Sequence, residues 1–160
     1  MTIFLGVDPG LDGACAELCG DRTIIFDTPT LRVDGQGTHR REYDLVTMAR
    51  FLREVATQEA RICAVIEQVH AMPGQGVRSV FTFGVGLGVW LGLLAAFTIP
   101  YELVTPQRWK KTMLDGQGKD KDAARFKAQS LFPQIELHRK KHEGRADALL
   151  IAEFARRTRS

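Results

Sequence analysis

The chain is predicted to fold as one α/β domain spanning residues 1–160, with a mixed five-stranded sheet flanked by helices. Three observations predict this. Short strand-like runs crowd the first 27 residues. Helical and strand-like patterns then alternate. Hydrophobic residues make up 44% and charged residues 26%, ordinary values for a chain long enough to bury a core.

Residues 2–7 (TIFLGV) form an apolar strand stopped by Asp8-Pro9-Gly10. Residues 13–19 and 22–27 read as two further strands around a turn at Gly20-Asp21. Residues 28–40, with Pro29, Gly35 and Gly37, read as a loop. Leu45, Met48, Leu52 and Val55 give residues 41–57 a helical period. RICAVIE (61–67) is a buried strand, and 68–78 is a Gly/Pro loop. Residues 79–97 form a long apolar helix, read as packed and not membrane-spanning. PYELV (100–104) is a fifth strand. Thr105-Pro106 then opens a short helix, since threonine caps well and proline suits the first turn. Residues 119–131 and 143–157 are the last helices. Three antiparallel strands followed by βα units give a ribonuclease H-like layout.

Three cysteines, Cys15, Cys19 and Cys63, show no CxxC pairing. That disfavours a disulfide framework or structural zinc and suits a reducing compartment. The first residues lack a basic leader, so a cytoplasmic protein, nucleoid-associated or phage-encoded, is expected. Net charge is +3, unevenly spread. Residues 1–103 hold 8 basic and 12 acidic side chains, whereas residues 104–145 hold 11 and 5. A basic block of this kind is a footprint for a polyanion.

Carboxylates carry the chemistry. Asp8 ends the first strand and Glu67 the fourth, both behind apolar runs. Glu143 and Asp147 lie four apart, on one face of the last helix. Four converging acids repel and raise one another's pKa. Two hard divalent ions, Mg²⁺ or Mn²⁺, relieve this and can hold the attacking and leaving oxygens of a phosphodiester. Taken singly, Asp8 also fits a turn residue, Glu67 a loop cap, and Glu143 and Asp147 acids suited to the helix dipole. Their joint placement beside the basic block favours a metal-dependent nuclease. The turn at Asp12 is also found in actin-like sugar kinases, whose remaining elements need far more than this chain. GVGLGVWLG (84–92) lies inside a helix, so it lacks the strand–helix turn that a dinucleotide site needs. Gly84, Gly88 and Gly92 instead make a smooth groove for another backbone, in its specific form a homodimer contact. Helix phase turns His142 away from Asp147, leaving it a reserve ligand. His39 and His138 read as surface residues, and Trp109 as a core anchor.

Several ordered motifs resemble one family: GVDPGLDGA (6–14), IEQV (66–69), the apolar Phe/Gly/Trp helix, VTPQRWKK (104–111) and GRADALLIA (144–152). They resemble the RuvC-like Holliday junction resolvases, nearest the compact phage, bacterial and chloroplast type. The resemblance implies a ribonuclease H-like homodimer that nicks four-way DNA junctions with two Mg²⁺ or Mn²⁺ per site, leaving 5′-phosphates. By position, Asp8, Glu67 and Asp147 match metal ligands and catalytic residues. In the best-known members the fourth ligand lies three before the last acid, where this chain has Gly144. Closer relatives place it four before, which is Glu143. Some relatives carry a junction-wedging Phe where this chain has His70. Met72, Gln75 and Phe81 are alternative DNA probes. Lys110, Lys111, Lys119, Lys121, Arg125, Lys140, Lys141 and Arg145 are expected to hold DNA phosphates. A branch-migration helicase is a further expected partner. A non-cleaving junction-binding module and a ribonuclease H acting on hybrids are the competing classes.

Overall fold

The computed structural model describes residues 1–35, 38–70, 74–115 and 122–159. Strands β1 (Thr2–Asp8), β2 (Ala14–Cys19) and β3 (Arg22–Asp27) form the expected antiparallel meander. β4 (Thr30–Gly35) and β5 (Thr38–Tyr43) follow, then α1 (Leu45–Ala56), β6 (Arg61–Glu67), α2 (Val77–Ala96) and β7 (Tyr101–Val104). The chain closes with α3 (Pro106–Met113), α4 (Ala123–Leu131) and α5 (Glu143–Arg159), the last preceded by a 3-10 turn at Lys140–His142.

The main sheet has the order β3-β2-β1-β6-β7, with β6 and β7 parallel to β1. It is the mixed five-stranded sheet the sequence predicts. Val7 pairs with Ile66, which leaves Asp8 and Glu67 at the same end of adjacent central strands. One face carries α3, α4 and α5 over a core that includes Phe4, Leu18, Val65, Trp109, Leu149 and Phe154. The other carries α1 and α2 over Ile3, Leu5, Val7, Met48, Leu52 and Trp90.

Small residues dock α5 on the sheet. A Cβ on Gly6 would lie 2.2 Å from the carbonyl oxygen of Ala148 and from the amide nitrogen of Ala152. Glycine in β1 and alanines at helical spacing therefore let the two backbones touch. Leu149, Leu150, Ile151 and Phe154 are essentially fully buried beside this seam. Each stabilises the fold by about 1.5–3 kcal/mol.

Two readings change. The expected loop at 28–40 is mostly a second, two-stranded sheet of β4 and β5. Arg32 faces Arg41 across it, and Asp34 faces His39. The two strands are joined by ladder bonds and by the cross-strand contact of His39 with Asp34 (2.6 Å), and give little hydrophobic signal. Consequently α1 starts only at Leu45, capped by Asp44, which accepts from Thr47 N–H at 3.0 Å. The apolar helix α2 is packed along only one stripe, through Gly86, Trp90 and Leu94. By length and composition it could cross a membrane. Phe81, Phe83 and Val85 are exposed, and Gly84, Gly88 and Gly92 face open space.

Candidate active site

The end of β1 sets the first acid. Asp8 leads into a tight turn in which Gly13 N–H donates to the Gly10 carbonyl at 3.0 Å. A Cβ on Gly13 would strike the Asp8 carbonyl at 2.1 Å, so the turn needs glycine there. α5 begins against this turn. A Cβ on Gly144 would lie 2.1 Å from the Asp12 carbonyl. Gly144 thus does more than lack a ligand. It brings the start of α5 into contact with the β1–β2 turn, and Asp147 comes into the same cleft as Asp8.

The cleft has a volume of about 1030 Å³. Asp8, Glu143 and Asp147 line it, with Arg40, Arg41, Lys140 and Lys141 among the surrounding bases. Asp8 is pushed up to about 8, first by burial and then by the charges of Asp147 and Glu67. Asp147 is pushed up to about 7 by burial, with Lys110 pulling it down and Glu67 and Glu143 pushing it further up. Neither acid has an ion-pair partner among the described residues. Asp8 accepts one long hydrogen bond, from Gly10 N–H at 3.4 Å. Glu67 does not line the cleft; its charge acts on both Asp8 and Asp147, and it accepts from the Trp109 indole N–H at 2.8 Å.

This donor set fits hard divalent ions. It is all carboxylate oxygen, and its two deepest members repel each other unless a cation joins them. As placed, no three His, Cys, Asp or Glu side chains among the described residues are gathered into a ligating cluster. Completing the set requires side-chain rotation, which is open to Glu143 because it is exposed.

The reserve ligand is engaged elsewhere. His142 is 3% exposed, its Nδ1 accepts from Arg139 N–H at 3.4 Å, and it packs edge-on to His138. Burial, then the charge of Arg145, lowers its pKa, and it lies outside the cavity lining. Glu143 is the helix acid that faces the cleft. His39 and His138 are exposed, as expected.

The expected phosphate contacts divide. Lys110 lies close enough to both buried acids to draw their pKa values down, with its Nζ 5.1 Å from the Trp109 ring centre. Lys111, Lys140 and Lys141 are exposed. Arg145 is instead clamped to Asp27 by bonds of 2.6 and 2.5 Å, tying α5 to β3. Arg125 is bonded to Asp122 (2.6 Å) and to the His138 carbonyl (2.7 Å), and only 15% of its side chain is exposed. Both arginines hold the fold together. His70 and Gln75 are exposed, and Phe81 is 72% exposed. Met72, Lys119 and Lys121 lie outside the described residues.

Other contributors were not anticipated. β5 brings Arg40 and Arg41 to the cleft, with Arg41 bonded to Asp12 at 2.7 Å and to the Leu11 carbonyl. Tyr43 links Pro9 to Thr82 of α2 through its hydroxyl, 3.2 and 3.3 Å from their carbonyl oxygens. Arg78 of α2 completes the rim.

Sheet order and acid placement define the class: an α/β domain with the ribonuclease H-like fold of RuvC. No family model matches the chain. Over 92 residues it is 39% identical to the chloroplastic Holliday junction resolvase MOC1 of Chlamydomonas reinhardtii, a match that takes in 56% of this chain and 10% of that protein. The chain therefore spans only a small part of that relative's length. Thermus thermophilus RuvC in complex with a Holliday junction substrate aligns over 98% of this chain and 96% of its own, with a TM-score of 0.61 and 14% identity. A second Thermus thermophilus RuvC structure aligns over 97% and 95%, with a TM-score of 0.58 and 17% identity. These structural matches show the fold.

Proposed function

We propose that the protein is a structure-selective DNA endonuclease that resolves four-way junctions by paired, symmetric nicks. The observation that carries this is a pair of half-buried carboxylates without an ion-pair partner among the described residues, Asp8 and Asp147, in a cleft rimmed by arginine and lysine. Carboxylates suit Mg²⁺ or Mn²⁺, and the bases suit a phosphate backbone. The stretch similar to a Holliday junction resolvase and the RuvC fold support the same reading.

Asp8, Glu67, Glu143 and Asp147 would hold the two ions. When bound, such ions supply an activated water and stabilise the charge that develops on the phosphorus. The chain's own residues do the rest. Lys110, Lys140 and Lys141 draw the scissile strand toward the acids by its phosphates. Trp109 orients Glu67, and Gly144 lets α5 set Asp147 beside Asp8. His70, Gln75 and Phe81 are exposed and are the candidates for contacting unstacked bases at the crossover.

A homodimer joins the scheme through the exposed face of α2. Gly84, Gly88 and Gly92 let a second backbone approach, and two-fold symmetry would match two symmetric cuts. A branch-migration helicase remains a candidate partner. The experiment is a nicking assay on a synthetic four-way junction, with and without Mg²⁺, beside a linear duplex and an RNA–DNA hybrid. Mg²⁺-dependent paired nicks in the junction are expected. Binding without cleavage would make it a junction-binding module, and preference for the hybrid would make it a ribonuclease H.

A further inference from the structure

We infer that Trp109 is the positioning residue of the metal site, acting through Glu67. The inference rests on the nuclease reading above and extends it to a residue that composition marks only as core. Trp109 has no exposed surface, and its Nε1–H donates to Glu67 Oε1 at 2.8 Å. An indole nitrogen can only donate, so the bond has one polarity and Glu67 must accept. One carboxylate oxygen is committed to the indole, and the other stays available to a cation. Burial alone does not force such a bond. The chain's other tryptophan, Trp90, is equally buried, and its Nε1 finds no partner among the described residues.

The local sequence makes the contact rigid. Val104 pairs with Glu67, and Gln68 N–H donates to the Val104 carbonyl at 2.7 Å. Thr105 follows at once and caps α3, its side chain accepting from Arg108 N–H at 3.3 Å. Pro106 fixes the first helical residue. Trp109 comes one turn later and returns to the strand end that carries Glu67. The corner, the cap and the indole therefore hold a single carboxylate. Partners one step removed from a metal orient its ligands, and their loss typically lowers metal affinity about 10–100-fold.

The test is Mn²⁺ binding by calorimetry on metal-free wild type, Trp109→Phe, Glu67→Ala and the double variant. Phenylalanine keeps most of the packing and removes the N–H. Trp109→Phe is expected to weaken Mn²⁺ binding about tenfold, with four-way-junction affinity in Ca²⁺ unchanged. In the Glu67→Ala background the same change is expected to add nothing, because it has no carboxylate to act through. The indole resonance of Trp109 in ¹⁵N-labelled protein, assigned with Trp90→Phe, is expected to shift with Mg²⁺ and to stop shifting in Glu67→Ala. That signal decides the matter if Trp109→Phe does not fold. Equal Mn²⁺ affinity in Trp109→Phe, or an indole signal indifferent to Mg²⁺, overturns the inference while leaving the nuclease reading intact. Failure of wild type itself to bind Mn²⁺ overturns both.

Discussion

Asp8→Asn should destroy cleavage and at the same time stabilise the metal-free protein. Asp8 rises from an ordinary carboxylate value of 3.8 to about 8 in the folded chain. Because the folded value lies above the unfolded one, its ionisation opposes folding. The penalty is absent below about pH 3, small near pH 4, grows as pH rises, and is complete above about pH 8. Four units at about 1.4 kcal/mol each set an upper bound near 6 kcal/mol. Asp8 keeps some accessible surface, so water at the cleft mouth relaxes the penalty to a few kcal/mol. An asparagine amide still costs about 1–3 kcal/mol to bury without good partners. The net gain is then about 2 kcal/mol, or roughly 4–8 °C in Tm for a chain of this size. Thermal melts of wild type and Asp8→Asn in EDTA, at pH 4.5 and pH 8.5, read it directly. The variant should melt higher at pH 8.5, the gap should close at pH 4.5, and Mg²⁺ should narrow it by stabilising only the wild type. Equal or lower stability of the variant at pH 8.5, or a gain that persists at pH 4.5, would refute the reasoning.

Three further outcomes are expected. Glu143→Gln should cost at least a hundredfold in junction nicking, against less than tenfold for a folded His142→Ala; the reverse order in a single-turnover assay would move the fourth ligand to His142. Gly144→Ala forces a methyl to within 2.1 Å of the Asp12 carbonyl, so urea melts should show a loss of about 1–3 kcal/mol, with nicking reduced as Asp147 is displaced. Gly88 faces open space, so Gly88→Glu should leave the protomer as stable as before or improve it by up to about 1 kcal/mol. It should also turn a dimer into a monomer in light scattering, and an unchanged dimer would place the contact elsewhere.

The central strands were legible because each is a short apolar run with a hard stop. Asp8-Pro9-Gly10 ends one, and Glu67 before a Gly/Pro loop ends another. Register then puts these two acids side by side without further information. The β4–β5 hairpin was not legible, since its strands are paired through charges and backbone and leave no apolar alternation. The fates of Arg125 and Arg145 were hidden for a related reason. A count of bases in residues 104–145 says nothing of Asp27, which lies 118 positions from Arg145 and pairs with it. Trp109 shows the limit most clearly. Its hydrophobicity correctly marks it as buried, but the partner of its one polar atom lies 42 positions away. The sequence marks α2 as apolar and its glycines as a groove for another backbone, but periodicity does not say whether anything in the same chain covers that flank; within the chain it is open.

Cleavage of a synthetic four-way junction by wild type and by Asp147→Asn, in Mg²⁺ and in EDTA, tests the central claim most directly. Wild type should give two symmetric nicks with 5′-phosphate ends in Mg²⁺ and none in EDTA. Asp147→Asn should bind the junction equally well and cut it at least a thousandfold more slowly. Undiminished cutting by Asp147→Asn, or an intact junction after incubation with wild type and Mg²⁺, would contradict the account.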